Sequence, residues 1–346
     1  MKKSLLALAV LAASGAAMAQ SSVTLFGIVD TGVGYVKNSG GDKKIGLTTS
    51  GNATSRLGFR GVEDLGGGLK AGFWLEGQLD GDVGNANGLD FKRRSTISLM
   101  GNFGEVRLGR EFTAGYVKAI NYDMFGQVGM GQFLGWSQSL SDFAGDINGV
   151  RSSNMISYYT PNFGGFTAAA NYGFGENQVS NSADRYMGAY VAYDNGPLSV
   201  AFAFDKKNLT ALGLDLDRKQ WSLGGSYDLG MMKASALFQE IKLEEASILD
   251  SGKIRNWAIG LSAPVGPGTV KGQYASYKLR HTDEKAHQLS LGYVYDMSKR
   301  TAVYGTVAFL KNKGMSDVAL GGNGLALAAD MGRNQSGFQV GIRHAF

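Results

Sequence analysis

Arg56, Arg93, Arg94 and Arg151 are the residues whose chemistry would be most specific if the fold brought them together. A guanidinium group stays charged and binds carboxylate or phosphate through paired hydrogen bonds. Arginines around a narrow passage lower the energy barrier for anions and raise it for cations. The sequence therefore raises the hypothesis of an anion-selecting site, and the fold must be one that assembles these distant positions.

An ordinary ion pair is the alternative role for each arginine taken singly. The sequence offers four carboxylates that could neutralise them, namely Glu76, Asp123, Asp142 and Asp146. As a group the arginines are more informative, because they bracket one long connecting segment, residues 112–150. Both interpretations stay open for the individual residue.

Enzymatic chemistry has little support in the sequence. The three histidines are His281, His287 and His344, and none accompanies a serine in a Gly-x-Ser-x-Gly motif or has the pair spacing of a zinc helix. The chain has no cysteine, which excludes disulfide scaffolds and cysteine-ligated metal sites. We expect neither catalysis nor a cofactor.

The composition favours strands and tight turns over a soluble α/β enzyme. Of 346 residues, 52 are glycine, only four are proline, and 18% are charged. The formal net charge is +5, and two of these charges belong to Lys2 and Lys3, in a segment that we expect to be removed. The remaining surplus is too small to indicate a nucleic-acid partner by itself.

Residues 1–19 have the features of a secretory signal peptide. A basic start precedes an apolar core at residues 5–13, and small residues, Ala17 and Ala19, occupy the positions that signal peptidase inspects. The core is too short for a transmembrane helix, which needs about 20 apolar residues. We therefore predict cleavage after Ala19 and a single mature domain over residues 20–346, outside the cytoplasm.

The mature chain repeats the alternation of apolar and polar residues that is typical of β-strands with two different faces. The clearest example runs from Phe338 to the last residue, Phe346. Residues Val23 to Tyr35 repeat the pattern, so the first and last strands could pair and close a barrel. A membrane strand of about 9–11 residues fits these runs.

The breaks between the alternating runs fall into two length classes. Seven are short and rich in turn-forming residues: 64–68, 101–104, 160–165, 194–197, 228–230, 263–268 and 296–300. Eight are longer and polar: 37–52, 80–91, 112–150, 174–185, 205–217, 242–254, 278–285 and 311–334. Fifteen connections predict an all-β fold, a transmembrane 16-stranded antiparallel β-barrel, with turns at one rim and loops at the other.

A soluble β-sandwich is the alternative fold for so many strands. Aromatic residues near the predicted strand ends, among them Tyr158, Tyr190 and Tyr304, match the aromatic girdles of membrane barrels and favour the barrel. A barrel of sixteen strands is too wide to be filled by its own side chains and leaves an aqueous channel. The architecture therefore implies passage of solutes.

The connection at residues 112–150 is far longer than an ordinary loop. Its aromatic residues would be unfavourable on a surface exposed to water; they are Phe112, Tyr116, Tyr122, Phe125, Phe133, Trp136 and Phe143. We expect this third long loop to fold inside the barrel and narrow the channel. An external lid or partner-binding loop is the alternative.

Strand alternation also assigns faces to the charged residues. Arg56 and Arg60 lie between apolar positions, so they point into the lumen, and the same reasoning turns Arg151 inward. For the adjacent pair, strict alternation selects Arg94 rather than Arg93. A bulge at the start of that strand would reverse the choice, so both remain candidates.

Several segments resemble the general porins of Gram-negative outer membranes. They are Ser21–Gly27, Ser55–Gly61, Glu63–Gly66, Gly104–Arg110, Tyr159–Phe166, Lys299–Ala302 and Gly341–Phe346, and they run the length of the mature chain. The resemblance implies a trimeric, water-filled barrel in the outer membrane whose third loop forms the constriction. The chain is most similar to the anion-selective members, in which arginines dominate the constriction.

The resemblance carries the basic cluster of the family onto Arg56, Arg93 and Arg151, so it favours the first arginine of the adjacent pair. It implies Glu76 and Asp123 as the nearby acids. The expected partners are other copies of the chain in a homotrimer, outer-membrane lipid and lipopolysaccharide, and small anionic or hydrophilic solutes. The predicted function is passive diffusion with a preference for anions, and the alternative is a substrate-specific channel or a surface adhesin.

Overall fold

The computed structural model describes residues 22–84, 89–136, 149–175, 184–211, 214–244, 252–321, 325 and 327–346. The predicted signal peptide, residues 1–19, lies outside the described residues. Asp142, Phe143 and Asp146 of the long loop also lie outside them. In the described part of the chain, no helix is long and apolar enough to cross a membrane.

The described residues form one antiparallel sheet that closes on itself. Its strand segments are β1 (Ser22–Asn38), β2 (Lys43–Thr49), β3 (Arg56–Gly66), β4 (Leu69–Gln78), β5 (Arg94–Gly101), β6 (Gly104–Phe112), β7 (Arg151–Tyr159), β8 (Phe166–Gly173), β9 (Tyr186–Asn195), β10 (Leu198–Ala211), β11 (Leu214–Asp228), β12 (Lys233–Glu244), β13 (Lys253–Val265), β14 (Gly268–Leu279), β15 (Lys285–Asp296), β16 (Thr301–Lys313) and β17 (Gln335–Ala345). The connection between β6 and β7 contains a helical turn, α1 (Ala114–Val117), and 3-10 turns at Ala119–Tyr122 and Leu134–Trp136.

Strand β1 pairs with β17, which closes the barrel as the sequence predicts. It also pairs with β2 along its second half and with β3 along its first half. Segments β2 and β3 therefore share one position in the sheet, and the seventeen segments fill sixteen positions. The prediction of a closed 16-stranded antiparallel barrel is confirmed.

The break between β2 and β3 is held by the buried carboxylate of Asp30. It accepts backbone N–H groups from Gly51 at 3.1 Å, Asn52 at 2.8 Å and Ala53 at 2.7 Å. The hydroxyl of Tyr304 donates a fourth hydrogen bond at 2.6 Å. Hydrogen bonds to a charged acceptor are stronger than neutral ones, so Asp30 stabilises an irregular segment that the sheet ladder does not.

The seven predicted short turns are confirmed, because each lies between consecutive strands. Two of the predicted long connections are wrong in part. Residues 43–49 form β2, and most of residues 205–217 belong to β10 and β11. In residues 205–217, charged residues pair across the two strands, such as Lys206 with Asp217 at 2.5 Å, and β2 begins with exposed lysines, so the polarity of both segments marks strand ends in water rather than a loop.

Burial alternates along the strands and identifies the two faces of the barrel. On β16, Val303, Val307 and Phe309 are exposed, whereas Thr306 and Ala308 between them are buried. An outward apolar band and a polar interior are typical of membrane barrels. Side chains that alternate with the exposed apolar ones therefore lie on the inner wall.

Candidate pore constriction

One carboxylate, that of Glu76, organises the charged residues on the inner wall of β3 and β4. The Nε atom of Arg93 donates to Glu76 Oε1 at 2.7 Å, and Arg56 Nε lies 4.0 Å from the same oxygen. The indole N–H of Trp74 donates to Glu76 Oε2 at 3.1 Å. Glu76 therefore neutralises one charge while it holds two guanidinium groups side by side.

The adjacent arginines have different positions on the wall. Arg94 begins β5 directly opposite Glu76 in the strand register, and it faces inward as alternation predicts. Its side chain turns away from Glu76: Arg94 Nε donates to Thr96 Oγ1 at 3.0 Å, and its guanidinium lies 4.4 Å from the Trp74 ring centroid. Arg93 precedes the strand, so alternation does not apply to it, and its side chain is free to reach Glu76.

Arg151 joins the group from the start of β7. Its Nε atom donates to the backbone carbonyl of Arg93 at 2.9 Å, and its guanidinium lies 4.1 Å from the ring centroid of Phe112. The fold thus brings Arg56, Arg93, Arg151 and Glu76 together from four segments distant in sequence. Three guanidinium groups face one carboxylate, which leaves this part of the wall positive.

Asp123 lies in the long loop and bonds to that loop rather than to the arginines. Its carboxylate accepts N–H groups from Phe125 at 3.0 Å, Gln127 at 2.7 Å and Phe133 at 3.0 Å, and the Gln127 side-chain amide at 2.8 Å. Burial raises the pKa of Asp123, while the backbone N–H groups favour its charged form. These hydrogen bonds shape the loop, and none of them joins Asp123 to an arginine of the cluster.

The described part of the long loop packs against the inner wall of β10 to β17, and its Gly129 lies against the backbone of Gly51 in the connection between β2 and β3. Its contacts reach inward-facing side chains of five strands: Tyr122 with Ser199 and Ser235, Met124 with Gln273, Leu134 with Tyr277, Gln132 with Gln288, and Met130 with Gln339. Aromatic packing adds to these bonds, since Phe133 lies 5.6 Å from both Trp136 and Tyr277 between ring centroids. None of these hydrogen bonds reaches a side chain of β3, β4 or β5, the strands that carry Arg56, Glu76 and Arg94.

The family model of the Gram-negative porins matches residues 5–315 of this chain. The chain belongs to the Gram-negative porin family. It is 56% identical to outer membrane porin protein 32 of Delftia acidovorans, and the match covers 100% of both chains. It is 34% identical to an outer membrane porin protein of Bordetella pertussis, again over 100% of both.

Solved structures agree with this assignment. An anion-selective porin from Comamonas acidovorans is 53% identical, with a TM-score of 0.90, and the match covers 94% of this chain and 100% of that one. The trimer form of OmpT from Vibrio cholerae shares the fold at 14% identity, with a TM-score of 0.67 over 94% of this chain and 99% of that one. The porin is thus an outer-membrane protein that forms a water-filled channel for passive diffusion of small hydrophilic solutes, as the sequence predicts.

Sequence reasoning missed a stack of arginines and aromatic rings on the wall of the porin. The guanidinium of Arg60 lies 5.2 Å from the ring centroid of Phe26 and 5.1 Å from that of Trp74, and the guanidinium of Arg94 lies 4.4 Å from the same Trp74 ring. Stacking uses the face of a guanidinium and leaves its in-plane N–H donors available. Alternation placed Arg60 in the lumen, but only the cross-strand register of Arg60 with Trp74 reveals the stack.

Two further arginines of the porin are neutralised and were also not identified from the sequence. Arg107 donates to Glu105 at 2.9 Å and makes a second ion pair with Glu111. Arg218 donates to Asp205 at 2.7 Å, and both side chains are buried beside the long loop. The alternating pattern through residues 104–108 could have placed Arg107 on the wall, whereas the polar composition around Asp205 concealed a strand.

Proposed function

We propose that the arginine cluster makes this porin anion-selective. The observation that carries the proposal is the gathering of Arg56, Arg93 and Arg151 around the single carboxylate of Glu76. An excess of fixed positive charge on the wall of an aqueous passage lowers the energy of an anion and raises that of a cation. The 53% identity to a porin described as anion-selective supports the same conclusion.

In this proposal, the long loop narrows the channel opposite the arginine cluster and sets the size limit, while Arg94 and Asp123 contribute charge nearby. Solutes are small hydrophilic molecules, with anions favoured, and no cofactor or energy source takes part. The mature porin is exported after removal of residues 1–19 and assembles as a homotrimer surrounded by outer-membrane lipid and lipopolysaccharide. The trimer form of the structurally similar OmpT supports the oligomer.

The test is single-channel recording in planar bilayers, with reversal potentials measured across a salt gradient. We expect three conductance steps and a reversal potential that favours anions. Arg56→Ala and Arg151→Ala should each shift the potential toward zero selectivity while the trimer persists on an unheated gel. Removal of one positive charge from a narrow aqueous site changes the free energy of an anion by about 1 kcal/mol.

A matched control removes a charge pair elsewhere on the wall. The double variant Arg107→Gln/Glu111→Gln leaves the net charge unchanged, so its reversal potential should stay at the wild-type value. Unchanged potentials in both Arg56→Ala and Arg151→Ala would contradict the proposal. Flux that saturates with one solute would instead indicate the alternative, a substrate-specific channel.

A further inference from the structure

Two rows of three lysines cross the outer face of the barrel at the ends of the strands nearest the long loops. In each row the lysines are directly opposite one another in the strand register: Lys219, Lys242 and Lys253 on β11 to β13, and Lys278, Lys285 and Lys313 on β14 to β16. Neighbouring strands are about 4.8 Å apart, and like charges directly opposite are destabilising. Each row therefore needs neutralising charge.

The first row receives that charge from the porin itself. Glu244 makes ion pairs with Lys219 and, at 2.7 Å, with Lys242. Glu240 makes an ion pair with Lys253 at 3.0 Å. Glu240 also pairs with Arg255 on the same face, so the two glutamates offset part of the repulsion within this row.

In the part of the chain that the structure describes, the second row has no such partner. None of the carboxylates in the described ranges lies within 4.0 Å of the ammonium nitrogen of Lys278, Lys285 or Lys313. Positive charge increases further beside it, because Lys311 lies opposite His287 on the same outer face. The two rows have the same number of lysines in the same register. They differ in whether carboxylates of the porin compensate the positive charge.

Lys313 of the second row lines an outward-facing groove of about 740 Å³, and Lys285 and Lys278 follow it on the next two strands. Basic and apolar side chains line it together, among them Lys37, Lys311, Lys313, Tyr274, Leu289 and Phe309. Phe309 and Leu289 belong to the exposed apolar band, and the lysines follow where the strands leave that band. An amphipathic groove at this level can hold acyl chains below and a charged headgroup above.

We propose that this groove binds a multiply phosphorylated lipid of the outer leaflet, with its phosphates on Lys278, Lys285, Lys311 and Lys313 and its acyl chains against Phe309 and Leu289. Phosphate groups carry the charge that the second row lacks, and each accepts hydrogen bonds from several ammonium groups. Basic residues near a membrane surface strengthen the binding of anionic lipid. The inference specifies a site for the lipopolysaccharide contact within the proposed function.

Lipid binding to the purified oligomer in neutral detergent with EDTA tests this site, with bound lipid counted by native mass spectrometry. The probe is bisphosphorylated lipid A, compared with the same lipid lacking both phosphates. Lys278→Gln/Lys285→Gln/Lys313→Gln should weaken binding more than about tenfold. The matched control Lys219→Gln/Lys242→Gln/Lys253→Gln removes the same number of lysines and should bind as the wild type does.

Equal weakening in both triple variants would overturn the site, because general charge would then explain binding. Equal binding of the dephosphorylated lipid, full competition by millimolar inorganic phosphate, or dissociation of the oligomer in the second-row variant would overturn the proposed occupant. The lysines lie outside the channel, so reversal potentials should be unchanged in both variants. Failure of the lipid site is therefore distinguishable from failure of the anion-selectivity proposal.

Discussion

Arginine has opposite roles on two parts of the inner wall. Arg218 on β11 is 1% exposed and bonds to Asp205, which is fully buried beside the long loop. The side chain of Arg56 on β3 is 31% exposed, and its nearest carboxylate oxygen is 4.0 Å away and already bonded to Arg93. An arginine of the lumen therefore stabilises the fold where a carboxylate and the long loop enclose it. Where they do not enclose it, its guanidinium group remains available to solutes.

The enclosed pair can be broken by removal of its acid. Asp205→Ala leaves the charge of Arg218 buried without its carboxylate, and such changes cost about 3–5 kcal/mol. We expect a lower free energy of unfolding in urea, measured by tryptophan fluorescence in detergent micelles. The double variant Asp205→Leu/Arg218→Met removes both charges and should recover most of the loss; a single variant as stable as wild type would show that the pair is not structural.

The charge of the open cluster can be increased by neutralising Glu76, the carboxylate that its arginines share. Glu76→Gln keeps the size of the side chain and an acceptor for Trp74 but abolishes the negative charge. The anion preference should increase, because the free energy of an anion about 4 Å away falls by on the order of 1 kcal/mol in water. Reversal potentials provide the measurement, and a shift toward cations would contradict the assigned polarity of the cluster.

An exposed ion pair should contribute the least to stability among the pairs compared. Lys118 on the long loop lies 2.8 Å from Asp194 at the end of β9, and both side chains contact solvent. Exposed pairs contribute about 0–1 kcal/mol to stability, so Lys118→Ala should lower the free energy of unfolding by less than about 1 kcal/mol. A loss comparable to that of Asp205→Ala would mean that burial does not separate the two classes of pair.

Local patterns predicted most of the barrel because each short turn needs turn-forming residues and each membrane strand needs one apolar face. They failed at residues 205–217, where β10 and β11 extend beyond the apolar band and pair through charged side chains. Composition alone does not distinguish such a hairpin from a polar loop. The same limit explains β2, whose strand begins with exposed lysines.

The candidate site was less accessible to sequence reasoning. Alternation placed Arg56 and Arg151 on the wall, but it does not apply to Arg93, which precedes its strand and reaches Glu76 through the bend at the start of β5. The contacts of Asp123 within the loop could not be predicted for another reason: its partners are backbone N–H groups of a compact loop. Backbone hydrogen bonds leave no trace in the identity of the residues that donate them.

The pairing of β1 with β17 has a consequence for how the chain folds. These strands lie at opposite ends of the described chain, so their contact has the greatest loop-closure entropy to overcome and depends on nearly all the other strands being in place. Until the seam forms, both edges carry unpaired backbone groups, which hydrocarbon does not solvate. Insertion and closure must therefore be coupled, and a chain lacking either terminal strand would remain an open sheet with aggregation-prone edges.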